Sequence, residues 1–183
     1  MGGVDDGIQA GVMRRAMGQF ATGVTVITTV DDEAAPAGCT VSAFCSLSLE
    51  PPLVLVCIGK DRLMHALLTE GPGYAVNVLA AHQRDVAYRF ARPGIDRFAG
   101  VPVGEGRHGV PLIQGALAQI QCDRHSVLDG GDHSIVLGRV RQVALADGEP
   151  LLYGQGAFLN LPDQDGERTM ATARHEWLLS APW

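Results

Sequence analysis

Lysine is almost missing from this chain. Lys60 is the single one, so arginine supplies the rest of the 14 basic residues against 20 acidic ones. The formal net charge is −6 and the isoelectric point is near 5.4. That balance excludes sequence-independent nucleic-acid binding, which needs a basic surface. Long apolar runs are missing too, and nothing approaches the ~20 residues of a membrane-spanning helix. The first residues carry Asp5 and Asp6 and lack an apolar signal core, so a cytoplasmic setting is expected. Cysteine is sparse, at 39, 45, 57 and 122. With no C-x-x-C pair and no zinc spacing, these read as reduced, mostly buried thiols, and no metal site is expected. There is no Gly-x-Ser-x-Gly, and Ser42 and Ser46 fall inside strand-like patterns, which excludes a serine hydrolase of that type. The histidines at 65, 82, 108, 125, 133 and 175 form no His-Glu-x-x-His, which argues against a zinc hydrolase. Tyr153-Gly-Gln-Gly156 lacks the glycine spacing and the strand–turn–helix setting of a dinucleotide fingerprint.

What is present suits one domain. The chain has 183 residues, 46% hydrophobic content and a mean hydropathy of +0.11, enough for a sizeable core. Residues 8–20 have helical period, with Met13, Ala16, Met17 and Phe20 on one face. Val24 to Val30 is β-branched and reads as a strand. Arg62 to Thr69 fits a short helix with Leu63, Ala66 and Leu67 inward, and Tyr74 to Leu79 a strand. His82 to Ala91 fits a helix with Val86 and Phe90 inward and an Asp85–Arg89 pair. Residues 99–111 read as irregular loop. Two long strands, 115–127 and 133–145, flank the turn Asp129-Gly130-Gly131, and Gly138 marks a bulge where the inward parity changes. Leu151 to Leu159 reads as a last strand. Six or seven hairpin-connected strands with two or three peripheral helices favour a mainly β barrel over a doubly wound sheet.

Three features could carry chemistry. The first is the stretch 38–52, read as one strand that stops at Pro51-Pro52. It sets Gly38, Thr40 and Ser42 on one face, a polar shelf with little bulk. The second is a set of four arginines, Arg84, Arg89, Arg92 and Arg97, against two aspartates, a candidate anion site. Lys60-Asp61-Arg62 could add donors. The third is Gly130-Gly131-Asp132-His133, which puts a histidine just past a flexible turn.

In family order, the segments Phe20-Ala-Thr-Gly-Val-Thr-Val-Ile-Thr-Thr29, Gly38 to Phe44, Ser46 to Pro52, Asn77-Val-Leu79 with Gln83 and Phe90-Ala91, Gly131-Asp-His133, and Pro150 to Tyr153 resemble the short-chain flavin reductases, the reductase components of two-component flavin monooxygenases. The resemblance covers about residues 12–160. It implies a split β-barrel of Greek-key type over 1–160 and a homodimer; residues 161–183 lie outside the match and read as a C-terminal tail, with Trp177-Leu-Leu expected to dock it on the domain or the dimer partner. It implies hydride transfer from NADH or NADPH to FMN or FAD, and diffusive supply of reduced flavin to a partner monooxygenase. Thr40, Val41, Ser42 and Ala43 would then line the flavin, Cys57, Ile58 and Gly59 would offer backbone groups, and Phe90, Ala91 and Arg92 would sit near the phosphate. His133 would serve the nicotinamide site as the catalytic candidate, with Tyr153 and Gln155 as weaker candidates for that pocket. The alternatives are a flavoprotein oxidase or oxygenase of the same fold that retains its flavin, and a non-catalytic flavin-binding module.

Overall fold

The computed structural model describes residues 7–161. The order is α1 (Ala10–Gly18), β1 (Thr22–Gly23), β2 (Thr25–Val30), β3 (Pro36–Val41), β4 (Phe44–Leu49), β5 (Pro52–Gly59), α2 (Leu63–Glu70), β6 (Gly73–Val78), α3 (Arg84–Ala91), β7 (Val103–Glu105), β8 (Pro111–Ile113), β9 (Ala118–Gly130), β10 (His133–Leu145), β11 (Leu152–Gly154) and β12 (Ala157–Leu159). Seven strands form one antiparallel sheet in the order β3-β2-β6-β9-β10-β5-β4. Its two edge strands, β3 and β4, are consecutive in the chain. The sheet therefore bends back on itself, with its edges returning to each other at the corner Ser42-Ala43. The Cys57 N–H donates to the Ala43 carbonyl at 3.0 Å, which carries the β4–β5 ladder one rung further, up to that corner. This is the split barrel, mainly β with three α-helices among the described residues.

The stretch 38–52 is thus two strands on opposite edges rather than one. No glycine or proline stands at 42–43, so alternation reads straight through the corner. Pro52 opens β5 instead of ending the strand before it.

β2 and β6 lie at the centre and are buried on both faces. Ile27, Tyr74 and Val76 join Val54, Val56, Ile58, Val136, and Met64 and Leu68 of α2 in one cluster. Val24 and Val26 join Leu79, Ala87, Phe90, Ile113 and Leu151 in a second, under α3. Each large side chain so buried stabilises the fold by roughly 1.5–3 kcal/mol. The polar groups caught between these layers are satisfied. Asn77 donates through Nδ2 to the Val26 carbonyl at 3.0 Å, and its Oδ1 accepts from the Ile113 N–H at 2.9 Å. Thr25 and Thr29 donate to the Val41 and Gly73 carbonyls at 2.6 and 2.9 Å.

The register of β9 and β10 shifts at Leu137/Gly138 and again at Val140/Gln142, so the expected irregularity at Gly138 is present. The cause is visible: a Cβ on Gly138 would stand 2.3 Å from Tyr74 Oη and 2.9 Å from Cys122 Cβ. The hairpin turn falls at Gly131-Asp132, later than expected, because Gly130 already pairs with His133.

Several local expectations change. In α2 the buried residues are Met64 and Leu68, while Leu63 is 90% exposed. In α3 Phe90 is buried as expected and Val86 packs against the same cluster, joined by buried Ala87, while Arg89 reaches toward the Asp96 carbonyl rather than Asp85. Residues 103–113 form the small β7–β8 hairpin, anchored by buried Val110 and Ile113. The segment 151–159 is a hairpin, turned by Gln155 and Gly156 at φ 51° and 81°. Cys45 is exposed rather than buried, and all four thiols are free. α1 forms, yet none of its residues is buried; Met13 and Met17 are about half exposed. No described helix is long and apolar enough to cross a membrane. The expected docking tail around Trp177 lies outside the described residues.

Candidate functional site

The seam between β3 and β5 opens into a cleft of about 500 Å³, within the usual range for small-molecule sites. Thr40 and Val41 enter it from β3, Ser42 and Ala43 from the corner, and Cys57, Ile58 and Gly59 from β5. Phe90 and Ala91 of α3 and His133 of β10 complete the set of expected residues found there. Cys39, Asp61, Arg62, Leu63, Met64, Pro93 and Arg97 also line it. The buried apolar groups Val41, Ile58, Met64 and Phe90 are joined by small residues and backbone. A slot of this kind accepts a planar ring, and the Arg62 and Arg97 guanidinium groups suit an anionic tail.

Each wall is held by a nameable contact. The Thr40 hydroxyl donates to the Ala87 carbonyl at 2.7 Å, which ties β3 to α3. Arg97 donates from Nη1 to the Gly38 carbonyl at 2.8 Å and from Nε to the Arg92 carbonyl at 3.0 Å. It therefore fixes the loop after α3 against β3. On the other wall, His133 pairs with Gly59 across β10 and β5. A Cβ on Gly59 would come within 2.8 Å of Asp61 Oδ1 and 3.6 Å of His133 Nε2, so the bare backbone keeps room for both. His133 Nδ1 meets Asp132 Oδ1 at 2.7 Å. That bond leaves Nε2 as the nitrogen nearer the cleft floor at Gly59. The same interaction with His133 holds the exposed Asp132 carboxyl below its usual range. Lys60 braces the turn: its N–H donates to the Asp132 carbonyl at 3.0 Å, and its ammonium pairs with Asp129.

Cys39 and Cys57 both line the cleft. Burial pushes Cys39 up to about 11, against the opposing pull of Arg97 and Arg62. Desolvation, with Cys45 adding to it, also raises Cys57. Both shifts disfavour the thiolate.

Four expected residues stand elsewhere. Gly38 faces Phe90, whose ring would lie 2.8 Å from an added Cβ, so a side chain takes the space foreseen for a ligand. Arg92 lines a separate cavity on the outer side of α3. Tyr153 and Gln155 sit on the β11–β12 hairpin beside α1, where the Gln155 N–H donates to the Gly18 carbonyl at 2.7 Å. The residues that sequence reasoning left out are Cys39, Leu63, Met64 and Pro93. Asp61, Arg62 and Arg97 carried a signal as members of charged clusters, whereas the α2 residues carried none, because their face was misjudged by one position.

The comparisons with known proteins agree with this architecture. The family model described as a flavin reductase like domain matches residues 17–162. An NADH-dependent FAD reductase of Streptomyces globisporus is 44% identical over 164 residues, covering 85% of this chain and 88% of its own. A reductase subunit of a flavin-dependent monooxygenase, HsaB of Rhodococcus jostii (strain RHA1), is 42% identical over 153 residues, covering 82% of this chain and 78% of its own. A Rhizobium meliloti (strain 1021) relative is 38% identical over 92% of this chain, which spans only about half of it, 54%. Among solved structures, the Streptomyces globisporus C-1027 NADH:FAD oxidoreductase SgcE6, in complex with NAD and FAD fragments, superposes with a TM-score of 0.81 at 42% identity, covering 86% of this chain and 96% of that one. On sequence, fold and site together, the chain belongs to the flavin reductase like family.

Proposed function

We propose that this protein is an NAD(P)H:flavin oxidoreductase that supplies reduced FMN or FAD to a partner monooxygenase. The observation that carries the reading is the seam cleft, which brings the 40–43 corner, the 57–59 backbone, the α3 end and His133 onto one slot. The bound pair would supply the redox chemistry, a hydride passing from nicotinamide C4 to flavin N5. The chain supplies position. Thr40 to Ala43 and Cys57 to Gly59 would frame the flavin ring, Phe90 and Ala91 would support its tail, and His133 would orient the nicotinamide. Stacking two rings at near-attack distance can contribute several kcal/mol of the barrier. No thiolate is required, which fits the raised Cys39 and Cys57.

The cleft is open and its rim residues Ser42, Ala43 and Leu63 are exposed, which suits a flavin that leaves once reduced. Diffusive transfer to the monooxygenase follows from such modest affinity. The half-exposed apolar face of α1, with Phe20 just beyond the helix at 76% exposure, supports a homodimer. A cytoplasmic setting suits both the nicotinamide supply and four free thiols.

A spectrophotometric assay crossing NADH and NADPH with FMN and FAD tests the reading. Loss of nicotinamide absorbance that depends on added flavin is expected. Its absence in all four combinations would overturn it. A protein isolated yellow that oxidises nicotinamide no faster with added flavin would select the retained-flavin oxidase instead.

A further inference from the structure

α2 brings Leu63 and Met64 to the seam cleft, and β10 brings His133. The next residue in each element, His65 and Ser134, stands behind that lining rather than in it. We infer that His65 is a positioning residue for hydride transfer: through Ser134 it fixes the spacing between the α2 wall of the cleft and His133. The inference rests on the flavin reductase reading and goes beyond it by giving the reacting geometry a support outside the cleft.

His65 Nε2 and the Ser134 hydroxyl lie 2.9 Å apart. Ser134 is 6% exposed, where a hydroxyl left without a partner would be costly. It pairs with Ile58 across β10 and β5, so the ladder sets its place beside the cleft. His65 is held as firmly on its own side. Its N–H donates to the Arg62 carbonyl at 2.9 Å, and its carbonyl accepts from the Thr69 hydroxyl at 2.9 Å. The Arg62 N–H in turn donates to the Gly59 carbonyl at 3.1 Å. These contacts close a ring, from Gly59 through Arg62 to His65, across to Ser134, and back along the β10–β5 ladder. At the far end of α2, Arg124 donates from Nε to the Gly71 carbonyl at 2.8 Å. His65 therefore governs the end of the helix that meets the cleft. Met64 and Leu68 bury α2 in the core, but apolar burial is non-directional and resists sliding poorly. A hydrogen bond prefers one distance and one angle. Without it the α2 wall can slip against His133, and a displacement of about 1 Å can cost on the order of a hundredfold in rate.

The test compares His65→Ala, His65→Gln, Ser134→Ala and the double alanine variant with the parent. Steady-state kcat and KM are measured with NADH and each flavin, and flavin dissociation constants by calorimetry. The His133 ring protons are followed by NMR, identified by their loss in His133→Ala. We expect kcat to fall about tenfold in each alanine variant, with the double variant no worse than either single one, since the two groups act as a unit. Glutamine keeps a donor and an acceptor near the position of Nε2, and should restore kcat to within about twofold. The flavin is framed by β3, the corner and β5, so its dissociation constant should move by less than about twofold throughout. The His133 signals should shift in the alanine variants and return with glutamine. The inference is overturned if kcat holds in the alanine variants, or if the two losses multiply in the double variant. It is overturned equally if glutamine fails to rescue a variant that melts like the parent, or if flavin affinity falls as far as kcat. Should the parent oxidise no nicotinamide with either flavin, the reductase reading falls and the His133 signals decide alone. A shift that glutamine reverses then sustains the link between His65 and His133, and unmoved signals end it.

Discussion

Tyr74 and Gly138 meet face to face in the barrel, and single atoms decide what that position tolerates. Tyr74 is 1% exposed and cannot swing away. Gly138→Ala is therefore expected to cost about 1–3 kcal/mol by overpacking, read as a lower urea midpoint with unchanged m-value. His133 calls for a different measurement. His133→Ala should slow nicotinamide turnover or raise its KM more than it weakens flavin binding; equal effects on both would remove the orienting role. Residue-scale chemistry was partly legible. Gly138 showed itself through a break in alternation, and His133 through its turn. At Gly38 the close approach comes from the Phe90 ring, and alternation gives a face but not the neighbour that fills it. Only tertiary packing brings the Phe90 ring there, from 52 positions away in the chain.

At the scale of elements, α2 shows how a right helix can carry a wrong face. Leu63, Ala66 and Leu67 and the pair Met64 and Leu68 are both helically spaced, so periodicity alone cannot choose between them. The choice comes from the sheet, whose concave side takes Met64 and Leu68. Leu68→Ala should thus destabilise by roughly 2–5 kcal/mol, whereas Leu63→Ser should leave thermal stability unchanged and alter only ligand affinity. Finding the two alike in a melting experiment would contradict the assignment. The strands β2, β5, β6, β9 and β10 and the β9–β10 hairpin were legible because β-branched runs and glycine-rich turns punctuate the chain. The split of 38–52 into β3 and β4 was not, because the corner Ser42-Ala43 uses ordinary residues. The β11–β12 turn was hidden likewise: Gln155 takes a positive φ that its side chain does not advertise.

For the whole molecule, acid sensitivity has an identifiable source. His108, Arg141 and Arg107 converge on Asp123, the His108 hydrogen bond foremost, and hold its carboxyl down near 2. A folded-state value below the unfolded one adds stability that is present above about pH 4 and is lost as pH falls toward 2. Asp123→Asn should therefore be less stable than the parent at pH 6, with the difference shrinking in urea titrations between pH 4 and 2. The seam has a consequence of its own for cohesion. Because β3 and β5 are not paired in the strand order, the two can part at the cleft without breaking a full row of hydrogen bonds. A flavin seated there would act as a removable rivet between the barrel's two lips. At a hundred times its dissociation constant it would add about 2.7 kcal/mol to stability. The urea midpoint should rise in step, and departure of the flavin would leave the barrel free to breathe once per turnover.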